Sequence, residues 1–209
     1  MSGTARSAAN AITMAAIRLL VGFGNPGAEH LRTRHNAGFW FLDAFARANE
    51  ATLAFDRKLH GEVGKLRIDG ETLMLLKPAT YMNKSGLSVV AALNYFKIAP
   101  EEMLIAHDDL DLPPGTARLK FDGGHGGQNG LRDTIAQLGH AKFHRLRIGI
   151  GHPGHKDRVT PWVLGRPSRA DEDAMLDAIG LSLAVVPLAI AGNFNEAMKR
   201  LHTKEDPKS

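Results

Sequence analysis

A chain of 209 residues, 44% hydrophobic and 23% charged, has the balance of an ordinary globular protein and enough length for a sizeable apolar core. It contains no cysteine, which excludes disulfides, thiolate metal sites and cysteine nucleophiles and suits a reducing, cytoplasmic setting. No stretch holds the roughly 18 uninterrupted apolar residues of a membrane span, and the net charge of +4 is a mild bias towards anionic partners.

Residues 1–13 are small and polar and are expected to form a disordered extension, followed by a single domain over 14–203 and a flexible tail at 204–209. The apolar run Ile17–Val21 predicts a buried strand ending in the turn Gly22-Phe23-Gly24-Asn25-Pro26-Gly27. Gly22, Gly24 and Gly27 match the spacing of a dinucleotide-binding loop. However, Pro26 has no N–H to offer a pyrophosphate and pushes Asn25 towards an extended conformation, so a dinucleotide-dependent oxidoreductase is disfavoured. A helix is predicted from Phe39 to Asn49. The strands Glu62–Ile68 and Thr72–Lys77 are joined by an Asp69-Gly70 hairpin turn. Pro78–Asn83 reads as a loop, and Ser85 as the cap of a helix that continues through Phe96.

Met103–Ala106 predicts a short buried strand running out into His107-Asp108-Asp109, and Ala117–Phe121 an alternating strand. The glycine-rich loop Gly123–Gly130 leads into a helix over Leu131–Leu138. His144–Gly151 then alternates as a strand, with Arg145 and Arg147 on one face. Two C-terminal helices are predicted over Ala170–Ser182 and Ala184–Leu201. Alternating strands and helices with one hairpin indicate an α/β fold, a single-domain sandwich with a mixed, mostly parallel central sheet flanked by helices. The informative loops follow strands and can share one rim of that sheet.

Chemistry concentrates on Asn25, His35, Asn83, Asp108 and Asn129, each in or beside a loop marked by Gly or Pro. His35 can take a proton from water near neutral pH, and Asp108, at the end of a buried strand, can orient its ring. Loop amides can hold a water or a carbonyl without adding charge. No G-x-S-x-G elbow or H-E-x-x-H pair is present, which leaves direct attack by water on an activated ester. Between Arg118 and Arg147, six Lys and Arg face two Asp, the footprint of a phosphate-bearing partner. A non-catalytic RNA-binding module using that patch is the alternative, although two Tyr and two Trp make a poor stacking platform.

Six motifs in order, GFGNPG, TRHNAG, KPATYMNKSG, AHDDLDLPPG, GGHGGQNGLRD and FHRLRIGIGHP, closely resemble the bacterial type of peptidyl-tRNA hydrolase over about Ile17–His202. The resemblance implies hydrolysis of the ester joining a peptide to the terminal ribose of tRNA, by a monomer using neither metal nor cofactor. It implies His35 as general base, Asp108 as its partner and Asn25 beside them. Asn83, Asn129 and Met82 would line the substrate groove, and Lys120 and Arg147 would meet tRNA phosphate. Two positions depart from the pattern: His30 stands where the family often has tyrosine, and Gln128 where a histidine is common before Asn129.

Overall fold

The structure, a computed structural model, describes residues 15–203. The expectations for 1–13 and 204–209 therefore concern residues outside those described. Seven strands form one sheet: β1 (Leu19–Gly22), β2 (Ala54–Asp56), β3 (Gly61–Ile68), β4 (Glu71–Pro78), β5 (Met103–Asp109), β6 (Ala117–Phe121) and β7 (His144–Gly149). Their order is β2-β3-β4-β1-β5-β7-β6. The central strands β4, β1, β5 and β7 run parallel, while β2, β3 and β6 pair antiparallel at the margins. The predicted mixed sheet is thus present, with the Asp69-Gly70 turn joining β3 to β4; both turn residues take positive φ, as a tight hairpin requires.

Helices cover both faces. On one, α1 (Ala37–Ala48), α5 (Arg169–Ile190) and α6 (Phe194–His202) bury Phe41, Leu42, Phe45, Met175, Val186 and Phe194 against Leu20, Leu104, Leu146 and Ile148. On the other, α2 (Ser85–Phe96) and α3 (Asn129–Leu138) pack Val89, Leu93 and Leu131 on Leu19, Val21, Leu76 and Ile105. β1 is apolar at successive positions because both of its faces are covered. A further short helix, α4 (Val159–Val163), lies between β7 and α5.

Four local expectations change. β5 continues through Asp109 because its last residues still pair with Arg147–Gly149 of β7, so Asp108 lies inside a strand and not beyond it. Ser85 is the first helical residue of α2, its hydroxyl donating to Met82 O; the cap position belongs to Lys84. The C-terminal helices divide at Ala191–Asn193 and not near Leu183. α5 runs unbroken through Leu183, with the Ser182 hydroxyl donating to Ala178 O, and Gly192, at φ 83°, supplies the stop. Edge strand β2 and helix α4 carry too few residues for a periodic signal. By length and composition α5 could cross a membrane, but its face bearing Met175, Ile179, Val186 and Ala189 is buried on α1 and the sheet, as in a core helix.

α6 closes the β6 edge. His202 Nε2 accepts the Leu119 N–H at 3.1 Å, which leaves one fewer unpaired donor on the edge strand. His144 stacks on Phe194 with ring centroids 3.8 Å apart. Burial pushes the His144 pKa from 6.5 down to about 4. A lowered folded pKa means that the unfolded chain binds the proton first. Stability from the neutral ring is therefore full above about pH 6.5 and is lost as pH falls towards 4, a loss on the order of 2 kcal/mol. Guanidinium unfolding at pH 7 and pH 4.5 should show that His144→Phe loses less stability than the unaltered chain. Equal losses would contradict this role.

Candidate active site

The chain leaves β1 towards β2–β4 and leaves β5 towards β6 and β7, so a crevice opens outside the carboxyl ends of β1 and β5. The loop after β1 is short and pinned: Phe23 N–H donates to Ala106 O at 2.9 Å and Phe39 N–H to Phe23 O at 3.0 Å. Gly38 permits this, since a Cβ there would collide with Ala106 O and the Phe23 backbone. A single helical turn, Ala28–His30, follows Gly27, and α1 begins ten residues beyond it with its Phe39 N–H already bonded to Phe23 O. The single helical turn Arg34–Asn36 instead brings His35 and Asn36 over the strand ends.

His35 Nδ1 donates to Asp108 Oδ2 at 2.8 Å, and both residues are buried, 6% and 3% exposed. Asp108 Oδ1 accepts from Gln128 Nε2 at 3.0 Å, and Gln128 Oε1 accepts the Leu131 N–H, capping α3. Burial opposes charge on both members of the pair, but each outweighs it for the other. The Asp108 charge and hydrogen bond raise His35 above its ordinary 6.5, while His35, followed by Gln128 and His107, hold Asp108 below the usual carboxylate range. With Nδ1 committed to Asp108, Nε2 is the nitrogen left to face a substrate.

A cavity of about 520 Å³ opens on this pair. Asn25, Met82, Asn83 and Asn129 line it together with His35 and Asp108, so the sequence-predicted loops do converge. Asn25 Oδ1 accepts the Met82 N–H at 2.7 Å. A backbone N–H can only donate, so this fixes the amide and leaves Asn25 Nδ2 free on the cavity side. Asn36 clamps Asn25 from behind, Oδ1 accepting the Asn25 N–H at 2.8 Å and Nδ2 donating to Asn25 O at 3.0 Å. Asn83 stands exposed on the rim, and Asn129 Oδ1 accepts from Arg132 at 2.7 Å. A further wall is mostly apolar: Val159, Val163 and Leu164 come with Thr160 from α4 and the residue after it, and Leu110 follows directly on β5.

His30, Lys120 and Arg147 do not line the cavity. His30 lies edge-on to Tyr81, a cavity residue, with centroids 6.4 Å apart. Arg118, Lys120, Arg145 and Arg147 occupy facing positions on β6 and β7, a four-cation face beside the cavity. These cations are not equally available. Arg145 is buried and donates to Gly123 O and Gly124 O, holding the glycine-rich loop, and Arg147 Nε donates to Asp109 at 2.7 Å. Lys120 is exposed. Asn36 is not among the sequence-predicted site residues, and Gln128 enters the sequence reading only as a departure from the family pattern. For Gln128 the available signal was its place just ahead of a helix, where an amide side chain caps; for Asn36, its place next to His35.

The family model described as peptidyl-tRNA hydrolase matches residues 19–209. A peptidyl-tRNA hydrolase of Xanthomonas campestris pv. campestris is 66% identical over 190 residues, 91% of this chain and 98% of that protein. One of Stenotrophomonas maltophilia is also 66% identical, over 91% of this chain and 99% of its own length. The crystal structure of peptidyl-tRNA hydrolase from Acinetobacter baumannii superposes with a TM-score of 0.87 at 50% identity, covering 90% of this chain and 95% of that one. Sequence and fold agree over nearly the whole length, and the chain belongs to the peptidyl-tRNA hydrolase family.

Proposed function

We propose that the protein hydrolyses the ester between a peptide and the terminal ribose of tRNA, with water as the nucleophile. The observation that carries this is the buried His35–Asp108 pair opening on a cavity, with an unoccupied imidazole nitrogen beside the free amide of Asn25. His35 Nε2 takes a proton from a water as its oxygen attacks the ester carbonyl, and Asp108 stabilises the imidazolium formed. Asn25 Nδ2 donates to the carbonyl oxygen as it becomes an oxyanion. Collapse breaks the bond to the ribose oxygen, which takes the proton back from His35; the products are free tRNA and a peptide carboxylic acid, which loses its proton to solvent. Asn83, Asn129 and Met82 line the substrate path, and His30 supports it through Tyr81.

The acceptor-end phosphates meet the cationic face of β6 and β7, with Lys120 as the exposed charge and Arg147 held by Asp109. All these groups belong to one chain, so a monomer is sufficient, and a cysteine-free enzyme suits the reducing cytoplasm. The described residues, 15–203, supply every group in this scheme, which favours the single domain read over 14–203.

The test is discharge of N-acetylaminoacyl-tRNA, which should be rapid for the unaltered protein and slow for Lys120→Ala at subsaturating substrate. Lys120→Ala should also reduce the slope of log affinity for tRNA against log salt by about 1. Salt-sensitive tRNA binding with no ester cleavage would replace this reading with that of an RNA-binding module.

A further inference from the structure

Arg34 precedes His35 on the same short helical turn, yet its side chain serves the cavity wall built by α4. It is buried, and its Nη1 reaches the carbonyls of Trp162 (3.3 Å), Gly165 (3.5 Å) and Arg166 (3.1 Å). Its Nη2 donates to Asp171 at 3.4 Å, and its guanidinium carbon lies 3.6 Å from the centroid of the Trp162 ring. The Arg34 N–H adds a bond to Gly165 O at 3.1 Å.

These acceptors lie in and just after α4. Five residues are too few for a helix to stand alone in water; Trp162 O also takes the Gly165 N–H, while Gly165 O and Arg166 O lie beyond the helix end. Arg34 gathers these three carbonyls with a planar guanidinium whose geometry lysine cannot reproduce. Val159, Val163 and Leu164 of this segment form the apolar cavity wall, and Leu164 is 42% exposed although it is large and apolar. An exposed leucine on a cavity wall next to a general base is placed for a ligand's apolar group.

We propose that Arg34 is a positioning residue for the hydrolysis: it bolts the α4 wall to the His35 turn, so that the wall receives an apolar side chain of the acyl group beside the scissile ester. The assignment rests on the proposed function above. It makes one turn of chain carry both the base and the anchor of the acyl-binding surface. Wall and base then keep a constant separation, so the apolar wall stays beside the position of the ester while the proton transfer itself is left to His35.

The decisive variants are Arg34→Lys, which keeps the charge near Asp171 but loses the fork and the flat stack, and Leu164→Ser, which alters the wall without touching Arg34. In Arg34→Lys, amide exchange over residues 159–166 should accelerate at least about tenfold while β5 stays protected. KM for N-acetylleucyl-tRNA should rise about tenfold in both variants, the scale of one lost apolar contact. KM for N-acetylglycyl-tRNA, kcat and the acid limb of the rate profile should stay near wild type.

Unchanged exchange in Arg34→Lys would overturn the bolt. Unchanged leucyl KM in either variant would overturn the acyl-binding wall, and so would a fall in kcat with a displaced acid limb, which would place Arg34 in the proton transfer itself. A wild-type protein inert on both esters would overturn the functional reading and the acyl role with it, while exchange would still decide the bolt.

Discussion

Replacing His35 by alanine should lower single-turnover cleavage of N-acetylaminoacyl-tRNA by a factor of about 10² to 10⁴, the usual contribution of a positioned general base. Affinity for tRNA should remain near wild type, because the cationic face on β6 and β7 lies outside the cavity that His35 lines. Removing the imidazole leaves the buried Asp108 with the Gln128 amide as its remaining side-chain donor, so the folded fraction must be checked alongside the rate. A folded His35→Ala protein with near-wild-type turnover would remove His35 from the chemistry. A parallel loss of tRNA affinity would instead indicate a collapsed site.

The second large effect belongs to Asp108→Asn, and Gln128 determines its form. Asp108 now accepts from two donors, His35 Nδ1 on one oxygen and Gln128 Nε2 on the other. An asparagine has one oxygen. If it faces Gln128, the new amide N–H faces His35 Nδ1 and forces the ring proton onto Nε2, the nitrogen that must accept a proton from water. The expected loss is again about 10² to 10⁴.

Asp108→Asn also moves the pH dependence. In the unaltered protein the Asp108 charge raises the His35 pKa above 6.5 against burial, so activity is full above that raised value and falls as His35 protonates below it. Without the carboxylate, burial remains and the acid limb moves to lower pH. A limb left in place in Asp108→Asn would mean that another group controls it.

The parts of the site that could be read from sequence are those set by local rules. The proline in Gly24-Asn25-Pro26-Gly27 excluded a cofactor loop, and helix α1 indeed starts well past the glycines. Asp108 could be placed because a buried strand runs directly into it. Gln128 and Arg34 act through partners far along the chain. Gln128 meets Asp108 across 20 residues and Met82 across 46, and Arg34 meets the α4 segment across about 130. Pattern and propensity do not report such contacts, because neither end has a periodic signature of the other.

The same limit explains the cationic stretch. Counted along the sequence, Arg118 to Arg147 looks uniformly basic, but the fold uses Arg145 to hold the glycine-rich loop and ties Arg147 to Asp109. Lys120 keeps its charge in solvent. The helix division at Gly192 is hidden in the sequence for a different reason. Leu181–Ala191 is apolar around its whole circumference, so amphipathic periodicity could not say where one helix ended.

In the proposed reaction Asp108 fixes the His35 proton on Nδ1 and leaves Nε2 as the base. Nitrogen-15 NMR of histidine-labelled protein, with the His35 signal assigned by its loss in His35→Ala, measures this directly. The neutral ring at pH 8.5 should be protonated on Nδ1 and bare on Nε2, and should titrate above 6.5 in the unaltered protein and below it in Asp108→Asn. A neutral ring carrying its proton on Nε2, or one that titrates alike in both proteins, would contradict it.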